Sequence, residues 1–198
     1  MMPTVEAEKK NISNNLRMDA KAPAVLQVLP RLETGGVERG TLDITAALIA
    51  AGRRAIVVSA GGSMVQAIKR AGGIHITLPV DSKNPLTMSR NTTALTNIIT
   101  HYNAGLVHAR SRAPAWSARF AAERAGVPFI TTFHGTYNFN NPIKKTYNAI
   151  MTKGDRVIAI SDFIGRHLTE VYDVPAERIR VIPRGVDLNF FNPKSVSA

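Results

Sequence analysis

Short apolar runs rich in β-branched residues alternate with segments of helical periodicity along most of this chain. The runs are Ala24 to Pro30, Ala55 to Ala60, Ile74 to Pro79, Gly105 to Ala109, Pro128 to His134, Asp155 to Ser161 and Arg178 to Pro183. Between them, apolar residues recur at helical spacing, most clearly from Val37 to Ala51 and from Ile164 to Val171. This alternation predicts an α/β fold with a Rossmann-like parallel sheet and helices on both faces.

The order of the runs also predicts where a ligand would bind. Right-handed crossovers place the carboxyl ends of parallel strands at one edge of the sheet, and ligands of open α/β sheets bind at that edge. The loops that follow the strands are therefore the candidate site. They contain LETGG, GGS, DSKNP, RSRAPAW, HGTYN and SDF.

The length of 198 residues and the 44% hydrophobic composition fit one domain, and two full Rossmann-like lobes would not fit. Residues 1–22 contain few large apolar groups and no sustained period, so they are interpreted as a disordered leader. Residues 23–183 form the predicted lobe. Residues 184–198 contain turn residues and are interpreted as the start of a linker to a further domain.

The charge and the cysteine content limit which binding partners and metal sites are expected. The net charge of +11 favours an anionic partner, but the basic residues are dispersed, so a nucleic-acid binder is not expected. The absence of cysteine excludes disulfides and thiolate metal sites, and no histidine–carboxylate cluster suggests a metal. We expect a cytoplasmic protein, because no apolar stretch is long enough to span a bilayer and no signal peptide is apparent.

Two glycines, Gly35 and Gly36, follow the first strand, and a helix is predicted to start at about Val37. Glycines at such a junction allow close approach of a ligand to the backbone, and the free amides of the first helical turn suit a phosphate. The spacing fits neither a dinucleotide fingerprint nor a Walker A loop. A helix-start turn without a ligand is the equally weighted alternative.

His134 ends the fifth strand and precedes Gly135. A histidine at a cleft edge can bond a sugar hydroxyl or assist proton movement. A structural role is the alternative, and it is the default interpretation of the other histidines, which are His75, His101, His108 and His167.

Arg110 and Arg112 follow the fourth strand, where two guanidiniums could grip phosphate or carboxylate groups. Surface arginines beside a helix start are the alternative, although a helix N-terminus disfavours cations. Near residue 144, a basic patch of Lys144, Lys145 and Lys153 accompanies an apolar stripe of Ile143, Tyr147 and Ile150. This combination suits either an anionic membrane surface or a solvated face packed on the sheet.

Four ordered segments together resemble the N-terminal domain of family GT4 glycosyltransferases. They are Leu29 to Glu38 (LPRLETGGVE), Thr131 to Asn138 (TTFHGTYN), Val157 to Phe163 (VIAISDF) and Val181 to Phe191 (VIPRGVDLNFF). The stretch VHARSRAPAWSARFAA is similar to the bacterial members linked to lipopolysaccharide and other cell-surface glycans.

The resemblance implies the first lobe of a GT-B enzyme, which binds the acceptor, while a second lobe binds a nucleotide-sugar donor. It implies that Gly35 and Gly36 lie beside the donor phosphate and sugar, and that His134 is catalytic. Arg110, Arg112 and Tyr137 are expected to bind a lipid-linked or lipopolysaccharide-core acceptor. It further implies retention of anomeric configuration, with a nucleotide sugar as co-substrate and neither cofactor nor metal, and it leaves open a peripheral position on the inner membrane.

The chain departs from the family pattern after Asp187, where nothing supplies the Arg/Lys pair and the paired glutamates of a donor-binding lobe. Glycosyl transfer needs charge stabilisation of the leaving phosphate in a closed cleft. We therefore expect no transfer by this chain alone. The alternative is a truncated, non-catalytic binding module.

Overall fold

The computed structural model describes residues 22–137 and 141–186. All seven predicted strands form one parallel sheet: β1 (Ala24–Val28), β2 (Ala55–Ser59), β3 (Ile74–Thr77), β4 (Ala104–Ala109), β5 (Phe129–Phe133), β6 (Arg156–Ala159) and β7 (Ile179–Val181). The helices are α1 (Gly36–Ala50), α2 (Val65–Arg70), α3 (Pro85–His101), α4 (Arg112–Ala125), α5 (Pro142–Asn148) and α6 (Asp162–Tyr172). The predicted α/β, Rossmann-like fold is confirmed.

The strand order is β3-β2-β1-β4-β5-β6-β7, so the chain starts in the middle of the sheet. It builds outwards through β2 and β3, returns through α3, and continues with β4 on the other side of β1. The pairing of β1 with β4, in which Val28 is opposite Ala109, is thus the topological switch point. Ligand sites of doubly wound sheets lie at this point, outside the carboxyl ends of the strands.

Apolar residues cover both faces of the sheet, as alternation along β2 shows. Ile56 and Val58 belong to the large cluster that includes residues of α3 and α4, whereas Val57 packs in a second cluster with Ile68 of α2 and residues of α1. Successive side chains of a strand point to opposite faces. The helices therefore lie on both faces, as the apolar runs predict.

The start of α1 differs from the starts of α3 and α6. In α3 and α6, Asn84 and Ser161 accept hydrogen bonds from backbone amides of the first turn. The N-cap residue of α1 is Gly35, which has no side chain to cap the helix. The first amides of α1 therefore receive no hydrogen bond from the N-cap residue, and the carboxylate of Glu38 lies beside Gly35.

The two ends of the chain lie mostly outside the described residues. The predicted leader is outside them except for Ala22, whose carbonyl oxygen accepts a hydrogen bond from Arg54 at 3.0 Å. Of the predicted linker, residues 184–186 are described. They follow the carboxyl end of β7, and Arg184 and Gly185 line the cleft described below.

Candidate functional site

A cleft of about 320 Å³ lies at the carboxyl edge of the sheet beside the switch point. It collects residues from α1 and from the ends of β4, β5, β6 and β7. The glycines and polar residues among them are Gly36, Arg39, Gly40, Asp43, His108, Arg110, Thr132, His134, Arg184 and Gly185. The structure therefore brings together three of the six predicted site residues, which are Gly36, Arg110 and His134.

The loop between β1 and α1 is held in place by its neighbour after β2. The amide of Leu32 donates to the carbonyl oxygen of Gly61 at 2.7 Å, and the amide of Met64 donates to the carbonyl oxygen of Leu32 at 2.8 Å. Gly35 is three residues after Leu32 and directly precedes Gly36, which lines the cleft. The predicted position of this glycine pair, at a helix start beside a cleft, is what the structure shows.

Two glycines on one side of α1 give room to two arginines. A methyl group added to Gly36 would collide with Nη1 of Arg184, and one added to Gly40 would lie 2.9 Å from Nη2 of Arg110. Gly36 and Gly40 are four residues apart, so they share one face of the helix. Both glycines are therefore needed for the close approach of the guanidiniums to α1.

Arg110 is fixed by a buried polar network. Its side chain is only 5% exposed, and its Nη1 donates at 3.0 Å to Oε1 of Gln27, a fully buried residue of β1. The amide nitrogen of Gln27 donates to the carbonyl oxygen of Thr41 and to the hydroxyl of Thr45, both in α1. Burial lowers the pKa of Arg110 to about 10, so the guanidinium remains charged at neutral pH.

His134 is a neutral hydrogen-bond donor in this cleft. Nη2 of Arg184 lies 2.7 Å from Nδ1 of His134, and because a guanidinium can only donate, Nδ1 must be the acceptor. The neutral ring then carries its proton on Nε2, which is buried and has no partner among the described residues. Burial, together with the charges of Arg110 and Arg184, lowers the pKa of His134 to about 3.

His108 and His75 have the satisfied structural roles that the sequence suggested as their default. Nε2 of His108 lies 2.7 Å from the hydroxyl of Thr132, and Nε2 of His75 lies 2.9 Å from the hydroxyl of Ser59. Burial lowers the pKa of His108 well below its usual value, with further contributions from Arg110 and His134. His108 nonetheless lines the cleft beside His134.

Arg112 and Tyr137 are separated from the other predicted site residues. Arg112 begins α4, donates at 2.9 Å to Oδ1 of Asn148 and lies 4.3 Å from the centre of the Tyr137 ring. Tyr137 in turn packs on Phe133, with 4.6 Å between ring centres, and burial raises its pKa to about 12. The expected acceptor-binding set is therefore divided, because Arg110 alone lines the cleft and Arg112 lines a neighbouring groove.

Sequence reasoning missed Arg184 and Gln27. Arg184 falls in the segment interpreted as a linker, and Gln27 lies within an apolar run that predicts only a strand. A signal for Gln27 was present, since one amide side chain inside a buried strand requires a hydrogen-bonding partner. No group of three or more His, Cys, Asp or Glu side chains suitable for a metal occurs within residues 22–137 and 141–186.

The fold of the chain matches that of several solved glycosyltransferases. A glycosyltransferase from Rickettsia africae is 42% identical, with a TM-score of 0.78 over 89% of this chain and 47% of its own. HepE of Anabaena, solved with UDP and glucose, is 17% identical, with a TM-score of 0.68 over 87% of this chain and 48% of its own. The lipopolysaccharide outer core galactosyltransferase WaaB is 13% identical, with a TM-score of 0.63 over 84% of this chain and 47% of its own.

The chain spans about half the length of these structures, and its fold is that of the N-terminal lobe of a GT-B glycosyltransferase. The family model described as Glycosyltransferase Family 4 matches residues 34–190. The chain therefore belongs to glycosyltransferase family 4. A comparison with curated proteins found no match.

The lowered pKa of His134 predicts an acid-sensitive fold. An unfolded histidine has a pKa near 6.5, so between pH 6.5 and about 3 the unfolded state binds a proton that the folded site refuses. The free energy of unfolding should therefore be full above pH 6.5 and should fall on acidification. One such histidine contributes at most about 1.4 kcal/mol per pH unit.

Urea unfolding of the wild type and of His134→Gln between pH 7.5 and 5 measures this contribution. In the variant, the free energy of unfolding should fall less steeply with pH. The remaining slope should come from His108, whose pKa is also lowered. Replacement of the exposed His101 by Gln controls for the loss of an imidazole elsewhere. Identical slopes for the wild type and His134→Gln would show that His134 titrates normally.

Proposed function

We propose that this chain is the acceptor-binding lobe of a retaining glycosyltransferase that transfers a sugar from a nucleotide sugar to a lipid-linked or lipopolysaccharide-core acceptor. The observation that supports this most directly is the meeting of Gly36, Arg110 and His134 in one cleft at the switch point of the sheet. Had the glycines and His134 been on opposite sides of the domain, they could not have touched one ligand.

The chemistry of the cleft suits a polar, partly anionic substrate. The uncapped amides at the start of α1 and the guanidinium of Arg110 can face negative charge. The Nε2–H of His134 has no partner among the described residues and can donate to a sugar hydroxyl or ring substituent once a ligand reaches this buried atom. His134 is neutral at pH 7, so its proposed role is hydrogen bonding to the reacting sugar. In this proposal the nucleotide sugar is a co-substrate and no metal ion takes part.

In a protein that carries both lobes, His134→Ala should lower kcat by roughly a hundredfold, because loss of one preorganised donor at a reacting centre has about this effect. His134→Gln, which retains a donor, should lose less. Transfer of radiolabel from nucleotide sugars to a membrane extract measures the rate, with His101→Ala as the matched control. A turnover of His134→Ala near that of the wild type would show that His134 has no catalytic role.

The chain by itself should not transfer sugar. One lobe leaves the cleft open to solvent on the side where the leaving diphosphate would need charge stabilisation in a water-poor site. We expect no product when the 198-residue chain is incubated with radiolabelled nucleotide sugars and membrane extract. Turnover by the chain would refute this and would also exclude the alternative, a non-catalytic binding module.

A specific surface feature favours contact of this lobe with a membrane. Leu86, at the start of α3, is 72% exposed, and Ile143, at the start of α5, is 81% exposed. Lys83 and Lys144, beside them in the chain, line one groove. Of the apolar stripe of Ile143, Tyr147 and Ile150, the last two pack on the fold, because Ile150 is buried and Tyr147 stacks on Trp116. Ile143 does not pack on the fold.

This surface lies near the carboxyl edge of the sheet, because α3 and α5 follow β3 and β5. We propose that it rests on the anionic inner face of the cytoplasmic membrane and brings a lipid-linked acceptor near the cleft. Exposed apolar side chains between lysines are typical of interfacial binding. Within the described residues, no helix is long and apolar enough to cross a membrane.

Cosedimentation with vesicles that contain about a third phosphatidylglycerol tests the surface. The double substitution Leu86→Ser and Ile143→Ser should weaken partitioning by about tenfold or more, because insertion of two aliphatic side chains contributes a few kcal/mol. The control is Phe163→Ser, which removes an apolar side chain that is 62% exposed on α6. Equal losses in both variants would contradict a localised membrane surface.

A further inference from the structure

Three guanidinium groups line the cleft, and two of them, those of Arg110 and Arg184, have no carboxylate in direct contact among the described residues. The Arg110 side chain makes one hydrogen bond there, to the neutral Gln27, and its Nε has no partner. Arg184 donates to the neutral ring of His134. Neither arginine belongs to an ion pair within residues 22–137 and 141–186.

The acidic residues nearest the cleft do not neutralise this pair. Asp43 lines the cleft, but it is bonded at 2.9 Å to Nε of Arg39, one helical turn away on α1. Glu38 lies in the first turn of α1, and both carboxylates act on Arg110 only through longer-range Coulomb attraction. Arg184 opposes them, because its positive charge disfavours the charged form of Arg110.

Such an arrangement is electrostatically incomplete. A guanidinium that is 5% exposed has lost most of its hydration, and a second guanidinium nearby adds repulsion. The glycine face of α1 brings both cations close to the helix, whose first amides also favour negative charge. One anion between the two arginines would satisfy all of these groups at once.

We propose that Arg110 and Arg184 form a phosphate-binding site within this lobe. Arg110 is its buried, fixed cation and Arg184 is its exposed cation. The network through Gln27, Thr41 and Thr45 holds Arg110 in position before any ligand arrives. This site would bind the phosphate of a substrate of the proposed transferase, so its role in a reaction rests on the proposed function. The phosphate belongs either to a phosphorylated acceptor or to the diphosphate of the activated sugar.

Isothermal titration calorimetry of the 198-residue chain at constant ionic strength tests the site. The probes are inorganic phosphate, glucose 6-phosphate, UDP and uncharged glucose. The variants are Arg184→Gln, Arg110→Lys and the control Arg119→Gln. Arg119 is on α4, where it pairs with Glu123 outside the cleft, so its substitution removes the same charge without touching the site.

The wild type should bind phosphate saturably, and Arg184→Gln should weaken binding by about tenfold or more, as expected for loss of a charge-assisted hydrogen bond. Arg119→Gln should change binding less than about twofold, which is the scale of a screened surface charge. Arg110→Lys keeps the charge but loses the planar fork, so it should also weaken binding. If Arg110→Lys fails to fold, Arg184→Gln decides, because its side chain is exposed.

Tighter binding of glucose 6-phosphate than of phosphate, UDP or glucose would support the site and assign it to an acceptor. Preference for UDP would support it and assign it to the donor diphosphate. Absence of saturable phosphate binding, or equal losses in Arg184→Gln and Arg119→Gln, would overturn it. A two-lobe protein that binds phosphate through these arginines but transfers no sugar would refute the proposed function alone.

Discussion

The hydrogen bond between Gln27 and Arg110 joins the two strands on which the cleft depends. Gln27 is fully buried in the central strand β1, and its amide group also reaches Thr41 and Thr45 of α1. One side chain thus fixes the position of α1 above the sheet and the direction of Arg110 at the end of β4. Without it, the buried guanidinium would lose its only side-chain partner among the described residues, and loss of a partner is costly for a buried charge.

This interaction follows from topology as much as from residue type. Gln27 and Arg110 are 83 residues apart in sequence, and they meet because the chain returns from β3 to place β4 beside β1. The amide of Arg110 continues the strand pairing by donating to the carbonyl oxygen of Val28 at 2.9 Å. The switch point therefore leaves an opening between two diverging loops and also supplies the polar network that shapes it.

The strands and the general place of the site were predictable because both depend on local pattern. Apolar runs that must be covered on two faces predict a parallel sheet, and a parallel sheet predicts which loops meet. The separation of Arg110 from Arg112 was not predictable. Arg110 still pairs with β1, whereas Arg112 is already the first residue of α4, and this change of backbone direction sends it towards Asn148 and Tyr137.

Arg184 escaped prediction for a different physical reason. Its neighbours Pro183 and Gly185 have the composition of a turn, and nothing local shows that β7 directs this turn back over the cleft. Long-range placement of a flexible cationic side chain depends on the surface it meets. Here that surface is the backbone of Gly36. Because Gly36 has no Cβ, the guanidinium of Arg184 can lie against it.

The contact between Arg184 and His134 makes the charge of the imidazole and the shape of the cleft interdependent. Nδ1 can accept from Arg184 only while it is unprotonated, so an imidazolium would break the contact and add a third cation beside Arg110. The two arginines thus hold the ring neutral, and the neutral ring in turn holds Arg184 over α1. A bound anion would stabilise both guanidiniums and would raise the pKa of His134 from its strongly lowered value. While the ring stays neutral, it still accepts the hydrogen bond from Arg184 at Nδ1 and carries its proton on Nε2. Charge recognition and hydrogen bonding to an uncharged hydroxyl can therefore coexist in one cleft, as a substrate with both phosphate and sugar groups would require.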